Sequence, residues 1–282
     1  MPSQSDAEGL FPAEPDADQD AISRDLDARV LLGTTEAPLD TVELRRGLRA
    51  FFDRRLSDWP DLFPDPPMAG GRRPKAITLG SVKWGVYAFF DYDDEPIYVG
   101  QTKERLSGRV SRHLTNQRTD AVAMSVLDPY EVRRIKVWPL PEYQDIVKRH
   151  QPDAWAAAKR HLDGLELHVF NLLISQSKFG AILNEKNPIP GELPHVPPMI
   201  DEPPIVSGTV AAERSHPDTR IARRAMIISR LAQVIAEREL RTPGLRRTLA
   251  TQADRLQWLA RERYVALGGE GMIETGADED SE

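Results

Sequence analysis

The apolar pattern of the chain is densest between residues 84 and 114. Trp84-Gly85-Val86-Tyr87-Ala88-Phe89-Phe90 is a run of aromatic and β-branched residues. An acidic turn, Asp91 to Pro96, leads into a shorter apolar run, Ile97-Tyr98-Val99-Gly100. The period then changes, and Leu106, Val110 and Leu114 recur every four residues. This order predicts strand, turn, strand, helix. It puts Tyr87 and Tyr98 on paired strands, with Arg109 and His113 one helical turn apart.

The remaining segments divide by the same criteria. Val42, Leu44, Leu48, Phe51, Phe52 and Leu56 fit an amphipathic helix over residues 41–56, capped by Asp40 or Thr41, with an arginine-rich polar face. Five prolines in residues 60–74 mark a linker. Residues 115–128 form a polar segment, read either as a groove lining or as a loop running into a short helix. Val132, Ile135 and Val137 predict a third strand over residues 130–138, and Pro152-Asp153 opens a strong helix to Ser175. Seven prolines in residues 188–204 predict an extended, semi-rigid linker. Two helices, residues 218–240 and 243–266, join through Thr242-Pro243-Gly244. An apolar stripe is expected on Ile221, Ala225, Ile228, Leu231, Val234 and Ile235. It suits packing within the chain or against a second copy, so a homodimer through these helices is one expectation.

The fold class that follows is α/β: a small antiparallel three-stranded sheet flanked by helices, over about residues 77–187. A helix and linker (41–76) precede it. A linker (188–210) and a basic helical hairpin (211–267) follow it. The acidic ends, 1–40 and 268–282, lack a periodic apolar pattern and are expected to be disordered.

Charge refines this picture. The net charge of −7 is uneven. Residues 1–42 carry ten acids and two arginines, and residues 268–282 carry six acids and no base, which leaves +7 for residues 43–267. Twelve arginines lie between Arg214 and Arg263. A basic body suits a polyanion, because counterion release from phosphates drives binding. The chain has no cysteine, which excludes disulfides and thiolate metal sites. No signal peptide or membrane span is expected, which points to a cytoplasmic protein.

Glu166 is the most informative residue outside the opening run. Leu162, Val169, Phe170 and Leu173 share its helix face, so a carboxylate sits on or beside the core-facing stripe. An unpaired buried charge is costly. The carboxylate therefore needs a cation, either a metal ion or an arginine. Lys103, Arg105, Arg112 and Arg118 are the candidate phosphate contacts near the core helix.

Gly85-Val86-Tyr87, Tyr98-Val99-Gly100, Arg109 and His113, in that order, resemble the catalytic core of the GIY-YIG nuclease family. The resemblance covers about 110 residues. It implies an endonuclease that hydrolyses DNA phosphodiester bonds with one divalent metal. Glu166 falls on the family's metal-binding glutamate, and Asn184 on its late asparagine. The implied ion is Mg²⁺, with Mn²⁺ as a second choice, since a lone carboxylate leaves room for water and substrate oxygens. The expected roles are Tyr87 activating water, Tyr98 positioning, Arg109 stabilising the phosphate and His113 relaying a proton. An unperturbed phenol has a pKa of about 10 and needs help to act near pH 7. RNA stays open as a partner beside DNA, and the rival reading is a non-catalytic binding or interaction protein on the same core.

Overall fold

A computed structural model describes residues 39–63, 76–115, 126–237 and 243–269. The acidic ends, most of the first proline-rich linker and Arg118 lie outside the described residues. The described residues form a mixed α/β structure with six α-helices and one antiparallel sheet. The elements are α1 (Leu39–Asp53), β1 (Gly85–Phe90), β2 (Pro96–Thr102), α2 (Leu106–Leu114), β3 (Arg134–Pro139), α3 (Pro152–Gln176), β4 (Ile200–Asp201), α4 (Gly208–Ser215), α5 (Pro217–Glu237) and α6 (Pro243–Ala266). Among the described residues no helix is long and apolar enough to cross a membrane.

The sheet has four strands rather than three, in the order β2-β1-β3-β4. The fourth is a two-residue strand, in which Ile200 pairs with Val137 and Asp201 with Lys136. Sequence pattern did not reveal it because two residues carry no period. β1 lies inside the sheet and is buried along its whole length, which explains its unbroken apolar run. Tyr87 and Phe89 point to one face and Val86, Ala88 and Phe90 to the other. The first face packs on α1, α2, α5 and α6 through Leu48, Phe52, Leu106, Val110, Leu231 and Leu245. The second packs on α3 through Leu162, Leu165 and Val169. β2 opposes Phe89 with Tyr98 and Phe90 with Pro96, leaving Ile97 as an extra, bulged residue.

The proline-rich stretch after Asn187 forms no helix before β4 and is docked along α3 as a strap. A Cβ on Gly164 would lie 2.2 Å from the Glu192 carbonyl oxygen, and one on Gly191 2.3 Å from that of Arg160. Only a pair of glycines allows this approach.

The hairpin departs from its expected stripe. The buried face of α5 is Arg220, Arg224, Ile227, Leu231 and Ile235, whereas Ala225 is exposed and Ile221 and Ile228 are half-buried. The helix is rotated because the core presents it with acid. Asp91, at the end of β1, is 1% exposed and accepts from Arg220 (3.3 Å), Arg224 (3.1 Å) and Arg255 of α6 (2.5 Å). Glu131 accepts from Arg224 (2.8 Å) and Arg223 (2.8 Å). The predicted third strand starts late for the same reason. Residues Pro129–Glu131 form a 3₁₀ turn that carries Glu131 inward to these guanidinium groups.

Removing one partner of a buried ion pair strands the other. Asp91→Ala should cost about 3–5 kcal/mol in urea unfolding. Burial alone would raise the Glu131 carboxyl, but Arg224, Arg220 and Arg223 override it and hold it at about 2, below its ordinary 4.5. A depressed carboxyl stabilises the fold above 4.5 and loses that contribution as pH falls through about 2. The hairpin should therefore detach in that window, seen as quenching changes at Trp258 before global loss of helix.

Candidate active site

The candidate residues meet at the outer edge of β2. Tyr87 pairs with Gly100 across the β1–β2 ladder, and Tyr98 lies diagonally beside it on the same face, with ring centroids 6.3 Å apart. The Tyr87 ring lies over Gly100, where an added Cβ would come within 2.6 Å of the phenolic oxygen. This is the physical reason for glycine at that place. α2 then brings His113 over the pair, with Nε2 2.9 Å from the Tyr87 oxygen. The Tyr98 and His113 rings lie 5.3 Å apart.

The opposite face of β2 meets α3. The Gln101 side-chain amide donates to Glu166 Oε2 at 2.7 Å and to Asp163 Oδ1 at 2.9 Å. Asp163 is also paired with Lys159. Burial pushes the Glu166 carboxyl above its ordinary value of 4.5, and Asp163 adds to the rise. The N–H groups of Gln101 and the charge of Arg109 pull the other way without cancelling it. No arginine forms an ion pair with Glu166 among the described residues.

Two clefts open here. The first, about 410 Å³, is lined by Tyr98, Gln101, His113, Glu166, Asn184 and Ile189, among others. The second, about 530 Å³, holds Lys103, Arg109, Lys159 and Asp163 and shares Gln101 and Ile189 with the first. Arg109 Nε is buried without a hydrogen-bond partner among the described residues. Glu166 and Asp163 offer carboxylate oxygens, hard donors of the kind Mg²⁺ or Mn²⁺ takes, although Gln101 presents its amide nitrogen to both and Lys159 holds Asp163, so an ion would have to displace these partners.

The structure thus brings Tyr98, His113, Glu166 and Asn184 to one cleft and Arg109 to its neighbour. Tyr87 stands behind them: it is 0% exposed and is hydrogen-bonded to His113, which lines the cleft. At the cleft wall stands the His113 imidazole, with the Tyr87 phenol behind it. Asn184 clasps one residue, accepting from the Val99 N–H at 3.0 Å and donating to the Val99 carbonyl at 2.8 Å. Its role is to fix the strand edge. Lys103 lies in the second cleft with Nζ 5.5 Å from the Trp155 ring centre, Arg112 pairs with Glu104, and Arg105 is exposed just before α2. Gln101 was missed in the sequence, although its place directly after Tyr98-Val99-Gly100 set it on the α3 side of the strand.

A further group, Glu142, His161 and His195, brings ligand atoms within 4.8 Å of one another. Both ring nitrogens of His161 are engaged: Nε2 donates to the His195 carbonyl (2.7 Å) and Nδ1 accepts from the Tyr143 hydroxyl (2.8 Å). No lone pair is left for an ion, and the imidazole serves to tie the strap down.

No protein-family model, curated protein or solved structure matches the chain.

The raised Glu166 carboxyl has a consequence for stability. The folded state holds this proton above 4.5, where the unfolded chain releases it, so folding is penalised as pH rises through and beyond that value. Glu166→Gln should raise the melting temperature at pH 7 and leave it unchanged at pH 4, read by scanning calorimetry.

Proposed function

We propose that the protein is a metal-dependent endonuclease of the GIY-YIG type that hydrolyses DNA phosphodiester bonds. The observation that carries this reading is the meeting of Glu166, His113 and Tyr98 in one cleft, with Arg109 in the cleft beside it. Phosphodiester hydrolysis needs a water relieved of its proton, a stabilised phosphate and a neutralised leaving oxygen. Each service has a residue with a matching environment.

His113 and Tyr98 line the cleft and are the groups that a water there would touch. His113 Nε2 is hydrogen-bonded to Tyr87, so the buried phenol and the imidazole form a proton-sharing pair. Tyr87 orients the ring and, from behind the cleft, can exchange the proton of their shared hydrogen bond with it. Arg109 lines the adjoining cleft, and its guanidinium keeps its charge at any working pH and can fork phosphate oxygens. Glu166, with Gln101 and Asp163 at its side, would hold the divalent ion. When bound, that ion supplies charge neutralisation at the phosphate and the leaving oxygen.

The rival reading, a binding or interaction protein centred on the hairpin, has less behind it. Arg220, Arg224 and Arg255 are turned inward onto Asp91 and Glu131, which withdraws much of the basic face from any partner.

The test is nicking of supercoiled plasmid by the full chain. Mg²⁺ should support it and EDTA should stop it. Arg109→Ala should lower the rate about 10²–10³-fold, the size seen when one charge-stabilising donor is lost. Glu166→Ala should abolish it, and undiminished nicking by that variant would overturn the metal assignment.

A further inference from the structure

Ile189 is out of place for a large apolar side chain: it is 62% exposed. Other apolar residues of the strap are also exposed, among them Leu193 and Val196. Ile189 differs in position, because only it and Gln101 line both clefts. They stand where the cleft holding Glu166 meets the one lined by Lys103, Arg109 and Lys159 together with Glu104 and Asp163.

Its backbone is held in place. Pro188 and Pro190 fix their own φ angles, and a residue before proline is confined to extended backbone. Upstream, the Leu183 N–H donates to the Ile97 carbonyl at 2.8 Å, and Asn184 clasps Val99. Downstream, Gly191 sits against α3, and Arg160 pairs with Glu192 at 2.8 Å. Little conformational entropy is left to lose when Ile189 meets a ligand.

A polynucleotide with one phosphate on Lys103 must cross this junction to bring the next phosphate between Arg109 and Glu166. Its phosphates gain nothing from Ile189. A sugar edge or a base face does, and apolar side chains placed this way part stacked bases. Resting on the nuclease reading, we propose that Ile189 is a wedge that enters the base stack at the step beside the scissile phosphate. The enzyme then selects DNA whose step at that point unstacks easily, such as a pyrimidine–purine step or a mismatch.

The test compares cleavage of a paired duplex with that of the same duplex carrying a mismatch at the cut step. Ile189→Ala should lower the paired-to-mismatched rate ratio about tenfold, and Ile189→Met should restore it. An unchanged ratio overturns the wedge and leaves the nuclease reading standing. A second measurement is independent of turnover. 2-Aminopurine, moved through a bound duplex, should brighten at one step with the wild-type chain and at none with Ile189→Ala. Brightening that survives the substitution overturns the wedge. Brightening by a wild-type chain that never cuts keeps the wedge and defeats the nuclease reading.

Discussion

The candidate site depends on the outer edge of β2. An edge strand presents unpaired N–H and C=O groups that invite further pairing. Here the outward-facing residues are closed one after another by later parts of the chain. Ile97 is met by the Leu183 N–H, Val99 by the Asn184 amide, and Gln101 by Glu166. The closure uses single groups and not a fifth strand, so the two faces of the sheet remain in contact around the rim. Tyr98 and His113 reach the cleft from one face, and Gln101 and Glu166 from the other. A paired strand at this edge would have separated the imidazole from the carboxylate by the thickness of the sheet.

The hairpin supports that edge from a distance. Asp91 ends β1 immediately before the turn into β2, so the three arginines that hold it also fix where β2 begins. Arginine suits this place because its fork can satisfy several carboxylate oxygens while its stem extends the apolar stripe of α5. The network is demanding, since charges in a core stabilise it only when each has a partner. It gives the hairpin one docking geometry, where an all-apolar stripe would tolerate a turn of the helix.

How much of this was legible follows from the range of each signal. The buried strand β1, the period change into α2 and the amphipathic character of α3 are local, and the sequence showed them. Glu166 was legible because a carboxylate beside Leu162, Val169 and Phe170 contradicts its surroundings. Gln101 was not, because an amide on a half-buried strand contradicts nothing. The rotation of α5 was hidden for a similar reason. Ile221, Ala225 and Ile228 make a good apolar stripe until Asp91 and Glu131, more than eighty residues away, are placed beside them. Tyr87 was legible as a residue but not in its burial, which comes from His113 and the Gly100 backbone closing over it.

The electrostatics of the junction also bear on what the fold is for. A chain selected for stability alone would join Glu166 and Arg109 directly, since each raises the cost of leaving the other unmatched. The fold instead keeps them in adjacent clefts with Gln101 between, close enough for Arg109 to weigh on the Glu166 proton and not in contact. The carboxyl stays raised and a guanidinium donor stays without a partner among the described residues. On the proposed reading a phosphate with its cation would answer both charges at once: the anion would face the guanidinium and the cation the carboxylate. A neutral ligand would meet neither. On the nuclease reading proposed above, it is this pairing of opposite charges held apart, more than the presence of any one residue, that a phosphodiester and its cation would use.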